Sequence, residues 1–372
     1  MSDFDAISVG GGLAGAAFAL ELARHGMRVL VIERSRTAAL KVCGDFLSRE
    51  ALDLLGYLGV DTGRLGAVAV DRFTLATAGS SATARLPFPA AGLSRLALDE
   101  SLLDVAAAAG AEIMRGVTVS GLEPDGRGAV VRTAPASFRA RSVALATGKH
   151  NLRGCPRPSG PVTAFKLQLS LSRAAQEDLA RRVQLVLCRG GYAGTCMVEN
   201  DLATLCWQIE TRRLSRAGSD WKAQLAPFTS QSSLLGDLLQ GARAASPRLA
   251  AISSLPFGYV RRIAVADGVF PVGDQLAVIP AFTGDGTSLA LASGIGAARA
   301  VLAGETAAAF QRKFIAGLKW QFHCARTVSL AFRTAPARRL SVATVGIFPS
   351  IIAMVARATR LAAPSPDGIA SL

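Results

Sequence analysis

Apolar residues at 6–9 open the chain and break at Gly10, Gly11 and Gly12. They recur at helical spacing over residues 13–25, and Gly26 supplies a stop. A second apolar run, residues 29–32, ends at Glu33. These changes of period predict strand, tight turn, helix, strand, with G-x-G-x-x-G falling on the turn. Gly10 permits the turn, Gly12 lets a pyrophosphate approach the backbone, and Gly15 lets the helix sit close to the strand. The helix start at Leu13 and Ala14 offers free N–H groups and a positive dipole end to phosphates. Glu33 lies 18 residues beyond Gly15, where an acid binds an adenosine ribose hydroxyl. The spacing therefore points to a dinucleotide clasp.

Farther along, Ser48 predicts the N-cap of a helix through residue 57, closed by Gly59. Residues 67–77 and 82–87 alternate like antiparallel strands, and 87–92 reads as a loop. Ser94 and Arg95 open an amphipathic helix that stops at Gly110. Residues 112–114, 117–122, 129–133 and 142–145 read as short strands, the last running into Thr147-Gly148. From 162 to 209 the rhythm changes to strand-like runs separated by turn residues. Without intervening helices this predicts an antiparallel sheet. Residues 219–245 read as helical, 255–265 as extended and 269–272 as a strand. A small-residue helix then leads to residue 302, and 305–361 read as all-helical.

Composition narrows the classes. The chain has 372 residues and is half apolar, enough for one large domain or two interleaved ones. Its formal net charge is +14, but the basic residues are scattered singly or in pairs, and aromatics are 6%. That pattern predicts no specific nucleic-acid partner and leaves attraction to acidic lipid or anionic substrates open. Six cysteines without a C-x-x-C pair, and three histidines, point away from a metal site. The start, MSDFDAISVG, has no basic segment before an apolar one, so the expected setting is the cytoplasm with free thiols. Near the end, Arg338-Arg339 and Arg357, Arg360 bracket an apolar stretch broken by Gly346 and Pro349. It reads as a helical pair packed on the rest, or as C-terminal helices in peripheral contact with an anionic membrane.

Two later segments change the picture most. An aspartate directly after a strand, Gly273-Asp274, is placed to accept from a ribityl hydroxyl. The turn Gly284-Asp285-Gly286, followed by Thr287, opens a helix whose N-terminus stabilises an electron-rich flavin edge. Together with GGGLAGA and Glu33, KVCGDFLS, LSRLALDESLL, LATGKHNLRG and VGDQLAVIPAFTGDGTSLALASG, they resemble the FAD-dependent p-hydroxybenzoate hydroxylase and geranylgeranyl reductase superfamily. The resemblance covers residues 4–305, roughly. It implies FAD held by Gly10, Gly12, Leu13, Ala14, Gly15, Glu33, Arg34, Cys43, Gly44, Arg95, Val119, Thr147, Gly148, Gly273, Asp274, Pro280, Gly284, Asp285, Gly286 and Thr287.

With the pattern above, the expected fold is α/β (α+β). A Rossmann-like FAD-binding domain is assembled from discontinuous segments 1–66, 93–160 and 266–305. A smaller antiparallel-sheet substrate domain (67–92 and 161–265) is inserted between them, and a helical C-terminal region (306–372) closes the chain.

Departures from the family shape the functional expectation. Thr147-Gly148 stands where the hydroxylases usually carry Asp-Gly, with Arg153 matching a later arginine. That Asp-Gly segment is linked to NAD(P)H contacts as well as FAD. The similar flavin halogenases carry W-x-W-x-I-P and an active-site lysine. The tryptophans here are Trp207, Trp221 and Trp320, and the lysines near family segments are Lys41, Lys149 and Lys166. The Y-x-W-x-F-P string of archaeal-type geranylgeranyl reductases is also missing, although Tyr192 and Glu199 remain in the matching stretch.

Candidate catalytic groups are Cys43, in the K-x-C-G loop the family places beside the isoalloxazine, His150 and Tyr192. Each also has a plain structural account, as a small buried thiol, a loop histidine or a sheet residue. The expected activity is FAD-dependent redox chemistry on a hydrophobic small molecule. Its leading form is a monooxygenase using reduced flavin, O₂ and NAD(P)H as electron donor. The alternative is a reductase or dehydrogenase of the geranylgeranyl-reductase type acting on an alkene or isoprenoid chain, toward which Thr147 and K-x-C-G lean.

Overall fold

The structure is a computed structural model and describes residues 3–126, 128–134, 136–214 and 220–361. The parts of the expected domains and helical segments that fall on the other positions, 362–372 among them, lie outside the described residues. The chain begins β1 (Phe4–Val9), α1 (Leu13–Arg24), β2 (Val29–Glu33), β3 (Phe46–Leu47) and α2 (Arg49–Tyr57). It continues with β4 (Val68–Thr77), β5 (Ser80–Gly92), α3 (Arg95–Ala108), β6 (Glu112–Arg115), β7 (Val119–Pro124), β8 (Ala129–Thr133) and β9 (Ser137–Leu145). Next come β10 (Val162–Ser170), α4 (Arg173–Leu179), β11 (Arg182–Cys188), β12 (Gly191–Met197), β13 (Leu202–Glu210), α5 (Trp221–Thr229) and α6 (Ser233–Leu238). The remainder is β14 (Arg243–Ala244), β15 (Ala250–Leu255), β16 (Tyr259–Val260), β17 (Val269–Pro271), β18 (Ala277–Val278), α7 (Gly286–Leu302), α8 (Ala307–Ala331), α9 (Ala335–Ile347) and α10 (Ile351–Thr359).

Two sheets organise these elements. The first has the order β6-β2-β1-β9-β8-β7, with β17 also on β9. Its centre is parallel: β1 pairs with β2 and β9, β2 with β6, and β9 with β17. Parallel strands are covered on both faces, so β1 and β2 are buried along nearly their whole length rather than at alternate positions. Helix α1 packs against both α3 and α7 on one face. This is the Rossmann-like part of the expected fold.

The second sheet has the order β14-β10-β13-β12-β11-β4-β5-β3, with β15 on β10. It alternates as a two-faced sheet must. Phe165, Leu167, Val186, Leu205 and Trp207 point to one side and pack on the α5–α6 region, with the Phe165 and Trp207 rings stacked at 5.1 Å. The opposite residues, among them Leu185, Tyr192, Gly194 and Cys206, face the interior of the molecule. Over this inner side lie the C-terminal helices: α9 packs across β4 and β5, and α10 on β5 and α8.

Four expectations change. The second sheet is not the smaller one: among the described residues it has nine strands against seven. It is not wholly antiparallel, since β4 and β11 run parallel, and it recruits β3 from ahead of residue 66. The expected loop at 87–92 is the end of β5. Opposite Asp71 the register jumps, Val70 facing Ala90 and Arg72 facing Arg85, so Pro87 and Pro89 sit in a bulge where no ladder donor is required. Beyond Leu255, the last residue of β15, residues 256–265 are mostly irregular, with β16 their one short strand.

Asp45 and Lys166 join the sheets. Both side chains are fully buried and form an ion pair. Asp45 Oδ2 also accepts from Thr204 Oγ1 at 2.6 Å, and Oδ1 from the Arg95 backbone N–H at 3.2 Å. One carboxylate thus ties the loop after β2 to β10, β13 and the start of α3.

Candidate functional site

One cavity of about 970 Å³ runs between the sheets. It starts at the glycine turn. Gly10 has φ +114°, and a Cβ there would strike the Ala146 carbonyl; a Cβ on Gly15 would strike the Gly10 carbonyl and Ser8 Oγ. Gly15 therefore lies behind the cavity and brings α1 against β1, while Gly12 faces it, with Lys41 Nζ and Arg95 Nη2 3.5 and 3.6 Å from where its Cβ would be. Helix α1 starts there with no side-chain cap, so its first N–H groups, including those of Leu13 and Ala14, are left for a ligand. The Arg95 guanidinium is held bidentate by Asp99 at 2.7 and 3.0 Å, and Lys41 reaches the same carboxylate at 2.7 Å. Burial alone would raise the Asp99 pKa; the two cations hold it below the ordinary value. Glu33 accepts from the N–H groups of Gly11 and Ser35 at 2.8 and 2.9 Å. Against its burial, Lys41 and these bonds keep its pKa low, so it remains a charged acceptor.

The middle of the cavity gathers Cys43, Gly44, Thr147, Gly148, Gly273, Asp274, Gly284, Gly286 and Thr287. Asp274 pairs with Lys149 at 3.1 Å, which raises the lysine pKa against the pull of burial. Arg157, not Arg153, comes to this place: it is buried and donates to the Asp274 carbonyl at 2.5 Å. Asp285 is the clearest correction. It is wholly buried and does not line the cavity; its carboxylate accepts from the Leu361 N–H at 2.8 Å and from Gln321. Burial pushes its pKa up to about 7. The backbone of its turn still delivers the N-terminus of α7, without a side-chain cap, toward the cavity through Gly286 and Thr287. Pro280 likewise sits off the cavity wall, between lining residues Ile279 and Ala281.

The far end is apolar. Phe73, Leu75, Leu185 and Tyr192 form its floor, and Val328, Phe332, Leu340, Val345, Ile351 and Ile352 its roof. The Tyr192 hydroxyl nears the Phe282 backbone without a hydrogen bond of normal length. Burial raises its pKa well above the ordinary phenol value. Cys43 is a half-buried free thiol on the wall, near enough to Cys206 that the two charges would oppose each other, while burial and that proximity push Cys206 up to about 12.

The other candidates go elsewhere. His150 and Val119 line the cavity, but His150 Nε2 lies 2.7 Å from Arg34, directly after Glu33, at the nucleotide end. Partial burial and Arg34 depress its pKa, and its place beside Arg34 keeps it away from the apolar chamber. Glu199 accepts from the backbone N–H of Ser94 at 2.9 Å and from its hydroxyl, and so anchors the start of α3. The sequence reading missed the roof, because aliphatic positions on amphipathic helices look like ordinary core until the partner surface is known. It also missed the role of Asp45. The one local signal was an acid after Gly44, which takes φ +55°.

These features fit FAD: a glycine cradle that side chains would fill, two uncapped helix starts, a cation pair at Gly12 and an acid beside the turn. Residues 3–144 match the FAD binding domain family. No curated protein sequence matches the chain. Among solved structures, the flavin-dependent brominase Bmp2 aligns with TM-score 0.78 at 17% identity, covering 99% of this chain and 96% of that one. The halogenase PltM, solved with phloroglucinol and FAD, aligns with TM-score 0.73 at 13% identity over 99% and 89%. A geranylgeranyl bacteriochlorophyll reductase-like protein from Thermoplasma acidophilum aligns with TM-score 0.70 at 18% identity over 99% and 95%. At these identities the alignments speak for the fold, and the matched domain speaks for the cofactor. Residues 3–144 thus match an FAD-binding domain, set in a fold shared with flavin-dependent proteins.

Proposed function

We propose that this protein oxygenates a long apolar molecule held in the chamber beyond the flavin site. The observation that supports it is the chamber wall. Among the residues that the second sheet and α8 to Arg360 contribute there, Arg360 is the one charged side chain. It is already paired with Glu50 at 3.1 Å and lies 3.8 Å over the Phe88 ring. An apolar ligand gains about 25 cal/mol for each Å² it removes from water in such a place. A charged one would lose its hydration without a partner.

FAD would be held by Gly10, Gly12 and the first N–H groups of α1, with Lys41 and Arg95 at the pyrophosphate and Glu33 at the adenosine ribose. Asp274 would serve the ribityl chain, and Gly284, Gly286 and Thr287 the ring. Bound there and reduced by NAD(P)H, the cofactor supplies two electrons which, with O₂ and two protons, place one oxygen atom on the substrate and release the other as water. The chain's own work is to orient and to exclude water. The start of α7 favours negative charge at the ring edge. The aliphatic roof keeps the reacting atoms dry. Tyr192, protonated at neutral pH, donates a hydrogen bond to a polar end of the substrate.

A second reading, reduction of a carbon–carbon double bond by the same two electrons and two protons, is favoured by Cys43 on the cavity wall and by Thr147 in place of the hydroxylase aspartate. Halide chemistry is not favoured: Lys41, Lys149 and Lys166 are each engaged by an acid, and no lysine lines the apolar chamber. The test is oxygen uptake by the reduced protein. Oxygenation predicts uptake that rises with an added apolar chain compound and yields a hydroxylated product. Anaerobic saturation of an alkene would replace it with the second reading. A purified protein without flavin absorbance would overturn both.

A further inference from the structure

The C-terminal helices wall the chamber with one face and leave the other uncovered. Val345 lines the chamber, whereas Ile347 and Phe348, at the end of the same helix, are 69% and 62% exposed. Met354, on α10, is 63% exposed. Helices α9 and α10 bend by 116° between residues 347 and 351, with Ile347 and Phe348 at the bend and Met354 just beyond it. Together the pair has the composition of a membrane segment, yet among the described residues no single helix is long and apolar enough to cross one. On α8, Trp320 is 70% exposed and Leu330 50%.

Charge on the same helices is one-sided. Residues 306–361 contain nine Lys and Arg and no Asp or Glu. Arg312, Lys319 and Arg326 recur every seven residues along α8 and are exposed, as are Arg333, Arg339 and Arg357 around the bend. Evenly spaced cations form a stripe on a helix. A second copy of the chain would bring two such basic faces together, which their charge opposes. Nucleic acid would match the cations but leave Phe348 at the bend without a partner. Exposed Trp, Phe, Ile and Met framed by Arg and Lys match the headgroup boundary of an anionic bilayer.

We propose that the outer face of α8–α10 docks on an anionic lipid surface, with the α9–α10 bend seated at headgroup level. The chamber then lies one helix width behind the membrane, about 10 Å, and an apolar substrate enters it from the bilayer without crossing water. Docking itself stands apart from the assignment of the reaction; the entry route rests on the apolar chamber.

The test is sedimentation of the full, flavin-loaded chain with phosphatidylcholine vesicles, with and without phosphatidylglycerol. Binding should require the anionic lipid and weaken as salt rises. Arg339→Glu with Arg357→Glu should reduce partitioning about tenfold or more. Ile347→Asp with Phe348→Asp should do the same, with flavin absorbance and melting temperature unchanged because these side chains are exposed. Three results would overturn the proposal: equal binding to neutral vesicles, retention on DNA in place of vesicles, or a dimer that buries the bend. Loss of turnover with vesicle binding intact would count against the assigned reaction and not against docking.

Discussion

At the glycine-turn end of the cavity, charge comes in partnered sets: Lys41 and Arg95 share Asp99, Lys149 meets Asp274, and Glu33 is held by two backbone N–H groups. At the roofed end, between β4, β11, β12 and α8–α10, aliphatic and aromatic side chains meet with almost no charge, and a tyrosine hydroxyl has no full hydrogen bond. The first end is set up for a ligand whose phosphates are fixed in kind. The second is shaped for bulk and length, where many weak contacts decide what fits. Substitutions should therefore damage the ends in different currencies, affinity for the cofactor at one and choice of substrate at the other. The joint between them should register as stability.

The largest effect is expected at that joint. Asp45→Ala leaves the Lys166 ammonium wholly buried without its partner. Breaking such a pair on one side costs about 3–5 kcal/mol, so urea unfolding should show a loss of that size. A loss below about 1 kcal/mol would mean that water reaches Lys166 and that the ends are not tied through this carboxylate.

Next in size is the nucleotide end alone. Arg95→Ala removes one of two cations beside Gly12. A charge-assisted hydrogen bond contributes about 1.5–3 kcal/mol, so FAD affinity should fall between roughly tenfold and a hundredfold, read by flavin fluorescence during titration. Turnover at saturating FAD should keep its substrate preference. If the preference shifts as well, the two ends are coupled and the contrast between them is too sharp.

These expectations also show what was legible beforehand. The nucleotide end was readable because phosphate binding constrains the backbone. Gly10, Gly12, Gly15 and Glu33 announce it by spacing alone, and the structure sets Gly10, Gly12 and Glu33 on the cavity wall with Gly15 behind it. The β and α periods of the first sheet followed for the same reason. The roofed end was not readable. Val345 and Ile352 have the same local pattern whether a helix covers core, substrate or lipid. Asp285 misled because its motif position is real while its side chain turns inward, to Gln321 and to Leu361, 76 residues away in sequence. Contacts across that span leave no trace in local spacing.

Asp285 supplies a pH-dependent probe of the boundary between the ends. Its folded pKa is pushed up to about 7, chiefly by burial, while an unfolded chain ionises it near 4. Between these values the folded state binds more protons than the unfolded one, so this group makes stability fall as pH rises through that window. Asp285→Asn should remove that part of the slope: melting temperatures of the two proteins should converge at low pH, and the variant should gain relative to the parent as pH approaches and passes 7. Parallel curves would show that water or Arg360 keeps the carboxylate ionised in the folded state, and that Leu361 is held by other contacts.

The smallest expected effect on stability is the most informative about the chemistry. Tyr192→Phe deletes a hydroxyl that lacks a full hydrogen bond in the chamber. Removing such a group while keeping the ring should change stability by no more than about 0.5 kcal/mol, and could raise it, since a buried polar group without a partner is a cost. A hydroxyl without a full partner in this largely apolar wall is then explained by something it does for the substrate. If it orients a polar end, the variant should show a higher KM for substrates carrying that end and little change for a plain hydrocarbon. If it delivers a proton in a reductive step, kcat should fall for every substrate and the pH profile should lose its alkaline limb. Neither change, with stability also unmoved, would leave Tyr192 as floor only and shift the search for the polar contact to Cys43 and Cys206 on the same wall.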